Sequence, residues 1–66
     1  MFEIFEVFNT DNKRLFFTTD KKSVPPKKEI ETLLGDGHRV KVNRKTLYKK
    51  NISDFLSKLK QGENNA

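Results

Sequence analysis

His38-Arg39-Val40-Lys41-Val42-Asn43-Arg44-Lys45-Thr46-Leu47-Tyr48 is the stretch that decides how this chain folds. Val40 and Val42 alternate with Arg39 and Lys41, the two-residue period of a strand with one apolar and one basic side. Asn43 tolerates a positive φ, so Asn43-Arg44 makes a tight turn and Thr46-Leu47-Tyr48 returns. That register sets Val40 opposite Leu47, both inward. The basic side chains then project from the tip and edges of the hairpin.

Upstream, Gly35-Asp36-Gly37 stops a helix, with a glycine suited to the left-handed position beyond its end. The helix begins near Pro26, because the first turn leaves N–H groups unpaired and proline has none to lose. Ile30, Leu33 and Leu34 form its apolar stripe, and Val24 packs back as a staple. Residues 20–26 are the linker before it, polar at first and then stiffened by Pro25-Pro26. Downstream, residues 51–61 read as a second helix, with Ile52, Phe55, Leu56 and Leu59 at i, i+3, i+4, i+7. Asn51 is the expected N-cap, and Asp54 suits the positive helix end.

The N-terminal third is rich in aromatic and β-branched residues. Residues 2–8 and 14–19 read as two strands around the turn formers Asn9-Thr10-Asp11-Asn12. Phe2, Ile4 and Phe8 fall on one side, Phe5 and Val7 on the other, and Phe16 and Phe17 point opposite ways. One side packs on helices. The other keeps at least one Phe uncovered, and such a surface calls for a cover, a partner or a ligand. The expected fold is therefore α+β, a small single domain over residues 1–61 in ββ-α-ββ-α order. Its antiparallel hairpins pack against two short helices, and residues 62–66 are expected to be a disordered tail.

Sixty-six residues make at most one domain, and six Phe compensate for an apolar content of only 33%. There is no Cys to form a disulfide or a thiolate metal site. One histidine, His38, and scattered Ser and Thr assemble no nucleophile–base pair, and His38 reads as a surface side chain. Gly35-Asp36-Gly37 is too short for a phosphate loop. No catalytic residue, cofactor or metal is expected. Acids near the N-terminus take the place of a signal peptide's lysines, and no apolar run reaches membrane-spanning length. Eleven Lys against three Arg, with six Asn, fit an AT-rich bacterial or phage genome, so the cytoplasm of a bacterial host cell is the expected location.

Charge is concentrated. Residues 21–50 hold ten basic residues against three acidic, a net +7, whereas the first twenty residues sum to −2 and the last sixteen to zero. A concentrated positive segment attracts polyanions, and phosphate backbones are the commonest of these. Arg39, Lys41, Arg44 and Lys45 are placed to grip phosphates from the hairpin. Lys27, Lys28, Lys49 and Lys50 precede or begin the helices, where a cation opposes the macrodipole and a phosphate would relieve it. The plainer readings are a solvated hairpin edge whose lysines block strand pairing, and lysines kept for solubility.

The stretch from Asp36 to Leu56 resembles the end of an excisionase-type winged helix-turn-helix domain, and the likeness extends over about residues 36–60. In that family a Gly ends the recognition helix, a two-stranded wing alternates Val with basic residues, and a closing helix follows. The resemblance implies that Gly37 ends such a helix, that Arg39, Lys41, Arg44 and Lys45 belong to the wing, and that Ile52, Phe55, Leu56 and Leu59 pack the closing helix. It implies duplex DNA as the partner, and an accessory or regulatory role in a phage or mobile element. In place of the family's first helix this chain carries the aromatic hairpin. The rival reading is a protein-binding inhibitor or adaptor that docks on a host protein through Phe5 and Phe16, or pairs as a homodimer. Stacking of unpaired bases on the hairpin's Phe residues is a further option, for which Lys13-Arg14-Leu15-Phe16 supplies a little local positive charge and against which Glu3 and Glu6 weigh. The apolar stripe of the last helix is needed for the core, so no membrane partner is expected.

Overall fold

The computed structural model describes residues 2–64, with side chains through Lys60. The elements are β1 (Phe5–Phe8), β2 (Arg14–Thr18), a 3₁₀ turn (Lys21–Ser23), α1 (Lys27–Gly35), β3 (Arg39–Val42), β4 (Lys45–Thr46), a second 3₁₀ turn (Lys49–Asn51) and α2 (Ile52–Asn64). This is the expected α+β fold in the expected order. Asn43 and Arg44 turn the second hairpin with φ of 52° and 67°, the positive pair of a two-residue turn whose twist matches its strands. Val40 and Leu47 face each other, and the Leu47 N–H donates to the Val40 carbonyl at 2.8 Å.

The two hairpins form one sheet in the order β2-β1-β3-β4, antiparallel throughout. β1 and β3 lie side by side, with Phe5 opposite Val42, Glu6 opposite Lys41, Val7 opposite Val40 and Phe8 opposite Arg39. Asn43 also fastens this seam. Its Oδ1 accepts from the N–H of Glu3 (2.7 Å) and of Ile4 (3.1 Å), and its own N–H donates to the Ile4 carbonyl at 2.8 Å. One asparagine therefore shapes the turn and fixes the entry into β1.

Both helices lie on the side of the sheet that carries Phe5, Val7, Val40 and Leu47. With Ile30 of α1 and Ile52 of α2 these make the core. Phe5 stacks on Phe55 at 6.2 Å, and Phe2, Val24, Leu33, Leu34 and Leu56 pack around the edge. α1 runs through Gly35 and closes on Gly37. The His38 N–H donates to Leu33 and the Gly37 N–H to Leu34, at 3.0 and 3.1 Å, with Gly37 at φ 89°. This is the paired closure that a left-handed residue makes possible.

Four boundaries differ from expectation. β1 begins at Phe5, because Phe2 leaves the strand's alternation to pack its ring 6.4 Å from Phe55. β2 ends at Thr18, whose hydroxyl accepts from the Asp20 N–H at 3.0 Å and turns the chain. Asn51 is not an N-cap; it lies in the 3₁₀ turn, and its N–H donates to the Tyr48 carbonyl. α2 runs to Asn64, past the expected limit at 61, while residues 65–66 lie outside the described residues. No helix among the described residues is long and apolar enough to cross a membrane.

Candidate nucleic-acid interface

Directly paired residues of an antiparallel sheet share a face. The pairs Glu6–Phe17, Glu6–Lys41, Phe8–Arg14 and Phe8–Arg39 therefore place six side chains on the side away from the helices. Glu6 sits at the centre, 8% exposed. A buried carboxylate without a partner is costly, and Arg14 meets that need by donating from Nη1 to Glu6 Oε2 at 3.1 Å. The same guanidinium lies 4.2 Å over the Phe17 ring. The Lys41 ammonium is 5.2 Å from the Phe8 ring, and Arg39 Nη2 donates to Asn12 Oδ1 at 2.8 Å. Three cations surround one neutralised acid, so the face carries a net +2.

Arg14 reaches this face because of a bulge. Val7 pairs with Phe16 but Phe8 pairs with Arg14, so Leu15 is an extra residue. Strict alternation would put Arg14 on the helix side with Phe16. The inserted residue re-aims it outward, which is what bulges commonly do.

The eight basic residues expected at the site divide into groups. Arg39 and Lys41 share the open face. Arg44 stands at the tip of the same hairpin, exposed. Lys45 pairs with Val42 and so projects toward the helix side, where it lines a cleft of about 670 Å³ with Lys21, Phe55 and Lys58. Lys27 and Lys28 open α1, while Lys49 and Lys50 lie in the 3₁₀ turn before α2; all four are exposed, on elements that cover the other side of the sheet. The structure thus brings two of the eight together with Arg14 and separates them from Lys45.

The aromatic expectation needs correction. Phe5 is 0% exposed and cannot dock on anything; its position on β1 points it at α2 and the ring of Phe55. Phe16 faces the same side but lies at the sheet edge, edge-on to Phe5 at 6.3 Å, and keeps 41% of its surface exposed. His38 is half-buried rather than on the surface, in a second cleft with Glu31 and Tyr48. Base stacking on the hairpin's Phe residues with Arg14 nearby was an option in the sequence, but the meeting of Arg14, Phe8 and Phe17 on one face was not read there. The parity of Phe8 with Glu6 was available in the sequence. The position of Arg14 depends on the bulge and was not.

No known protein family, curated relative or solved structure matches this chain.

Proposed function

We propose that this protein binds nucleic acid without catalysis, using the basic side chains of the uncovered sheet face and of the β3–β4 tip to contact phosphates. One observation carries the reading. Arg14, Arg39 and Lys41 lie on a single face whose acid, Glu6, is already paired. Arg44 adds a fourth cation at the tip, in a left-handed conformation that glycine would adopt more cheaply. Each phosphate contact releases counterions, so affinity falls with salt, and such contacts position a protein without reading sequence. Duplex DNA is the target implied by the resemblance of residues 36–60 to an excisionase-type wing, and with it goes an accessory or regulatory role in a phage or mobile element. Contact by all eight central cations at once is not supported, because Lys45 projects from the opposite side.

The test is fluorescence anisotropy with labelled random duplex and single-stranded DNA at several salt concentrations. Three or four phosphate contacts give a log–log slope of about −2 to −4. Lys41→Glu should abolish retention at moderate salt. Negligible binding of both probes at low salt overturns the reading.

One observation favours a second reading. β2 is an edge strand, and it exposes Leu15 (55%), Phe16 (41%) and Phe17 (53%) in succession. An apolar edge strand invites an added strand from a host protein or a second copy. Under this reading Phe16→Asp removes partner capture, while retention of nucleic acid is unaffected by the change.

A further inference from the structure

We infer that the uncovered sheet face is a stacking platform for a single-stranded nucleic acid, whose unpaired bases lie on Phe8 and on the Phe17–Arg14 pair. The inference rests on the nucleic-acid reading above and replaces the duplex that the resemblance implies with a single strand as the target of this face.

A duplex presents phosphates and base edges but keeps the flat faces of its bases stacked. An aromatic ring on a protein surface therefore gains little from a duplex. A single strand offers a π-face at every nucleotide. The face described here is built for the second kind of ligand. Phe17 lies opposite Glu6, and Phe8 is two residues further along β1, so the rings occupy diagonal positions on adjacent strands. Such positions are about 7–8 Å apart. Phe17 remains 53% exposed although the same hairpin buries Phe5 completely, so ring burial is not its role.

The cations complete the platform. The Arg14 guanidinium lies 4.2 Å over Phe17 and is held there by Glu6 at 3.1 Å. A guanidinium is itself a flat surface on which a base can stack. Because Glu6 already orients it, little side-chain freedom remains to be lost on binding. The Lys41 ammonium lies over the half-buried Phe8 ring at 5.2 Å, so a base that stacks there displaces it toward the adjoining phosphate, while Arg39, held by Asn12 at 2.8 Å, stands beside the ring for the next one. Glu6 is sunk to 8% exposure beneath these groups, so its charge is paired with Arg14 and turned away from the strand. The net charge of the face complements a polyanion, whereas an apolar protein partner would have to desolvate three cations.

The chain contains no Trp, so Phe17→Trp introduces a unique fluorescent reporter. It is titrated with oligothymidylate of about fifteen nucleotides, with an abasic strand of equal length and with duplex DNA. Oligothymidylate should quench the indole of F17W; the abasic strand should not, and, having lost the bases at both stacking positions, should bind at least about 25-fold more weakly. Phe8→Leu and Phe17→Leu should each weaken oligothymidylate binding by about 5- to 150-fold, without changing affinity for the abasic strand. Thermal unfolding of each variant establishes that the fold is kept. Equal affinity for the abasic strand and oligothymidylate, with an unchanged indole signal, overturns the stacking platform while leaving phosphate binding intact. No retention of any probe at low salt overturns both. A shift of the indole spectrum with protein concentration alone assigns the face to a second copy and also overturns the inference.

Discussion

β1–β2 and β3–β4 are both antiparallel hairpins of one sheet, yet they close in different ways. The first turns through Thr10-Asp11-Asn12, with Asn12 at φ 68° and the Asn9 side chain accepting from the N–H of Asp11 and of Lys13, both at 2.9 Å. It then takes a bulge at Leu15. The second closes on Asn43 and Arg44 alone and keeps strict alternation from Arg39 to Val42. Irregularity in one and regularity in the other deliver cations to the same face. Arg14 arrives there because the pattern is broken, and Arg39 and Lys41 because it is not. Basic residues that are distant in sequence can share a surface while neighbours such as Lys41 and Lys45 do not.

The largest expected effect separates the two sides of the first hairpin. Phe5→Ala removes a fully buried ring and should cost about 3–5 kcal/mol, enough to unfold most of a domain this small. Phe17→Ala, on the open side, should change stability by less than about 1 kcal/mol in urea unfolding. Equal costs at the two positions would mean that the open face is a second core surface.

Next in size is Glu6→Gln. Losing the charge that Arg14 meets should cost about 1.5–3 kcal/mol of stability. The same change adds one unit of positive charge to the open face, so retention of oligonucleotide should tighten. Anisotropy beside chemical denaturation reads both, and weaker retention in a folded variant would contradict the charge assignment.

Arg44→Gly should act with the opposite sign. A side chain at positive φ costs about 1–2 kcal/mol, so relief should raise the melting temperature by about 4–8 °C or more in a domain of this size. The salt slope of nucleic-acid binding should fall by about one. A stability gain with no change in slope would leave the tip without a ligand. The smallest effect is expected for Lys45→Glu, which should alter stability by less than about 0.5 kcal/mol and retention far less than Lys41→Glu does. Equal losses from the two reversals would favour a ligand that grips both sides of the hairpin.

Much of this was legible in the residues. The glycines at 35 and 37, the Val–basic alternation and the stripe from Ile52 to Leu59 each express a local periodicity, and each element formed as that periodicity demands. That Phe5 and Val7 share one side of the hairpin was legible from parity, but which side meets the helices was not. What sequence did not disclose was set by long-range choices. The seam between β1 and β3 joins residues far apart in the chain, and it turned two hairpins into one sheet. The departure of Phe2 from the strand depends on where Phe55 lies. At the site, Arg39, Lys41 and Arg44 were readable from the hairpin, and so was their separation from Lys45, which shares the inward parity of Leu47 in the expected register but was grouped with them by charge alone. Arg14 needed the bulge, and the burial of Phe5 needed the helices that cover it.

The position of β1 in the middle of the sheet has a consequence for biosynthesis. β1 and β2 are translated before β3 and α2, so the inner edge of β1 waits for Arg39–Val42, and the ring of Phe5 waits for Phe55 of α2. A nascent chain of this kind carries an unsealed aromatic hairpin until α2 clears the ribosome. Stalling or truncation ahead of Ile52 would therefore release a sticky fragment rather than a smaller working domain, and the closing helix acts as the latch on everything made before it.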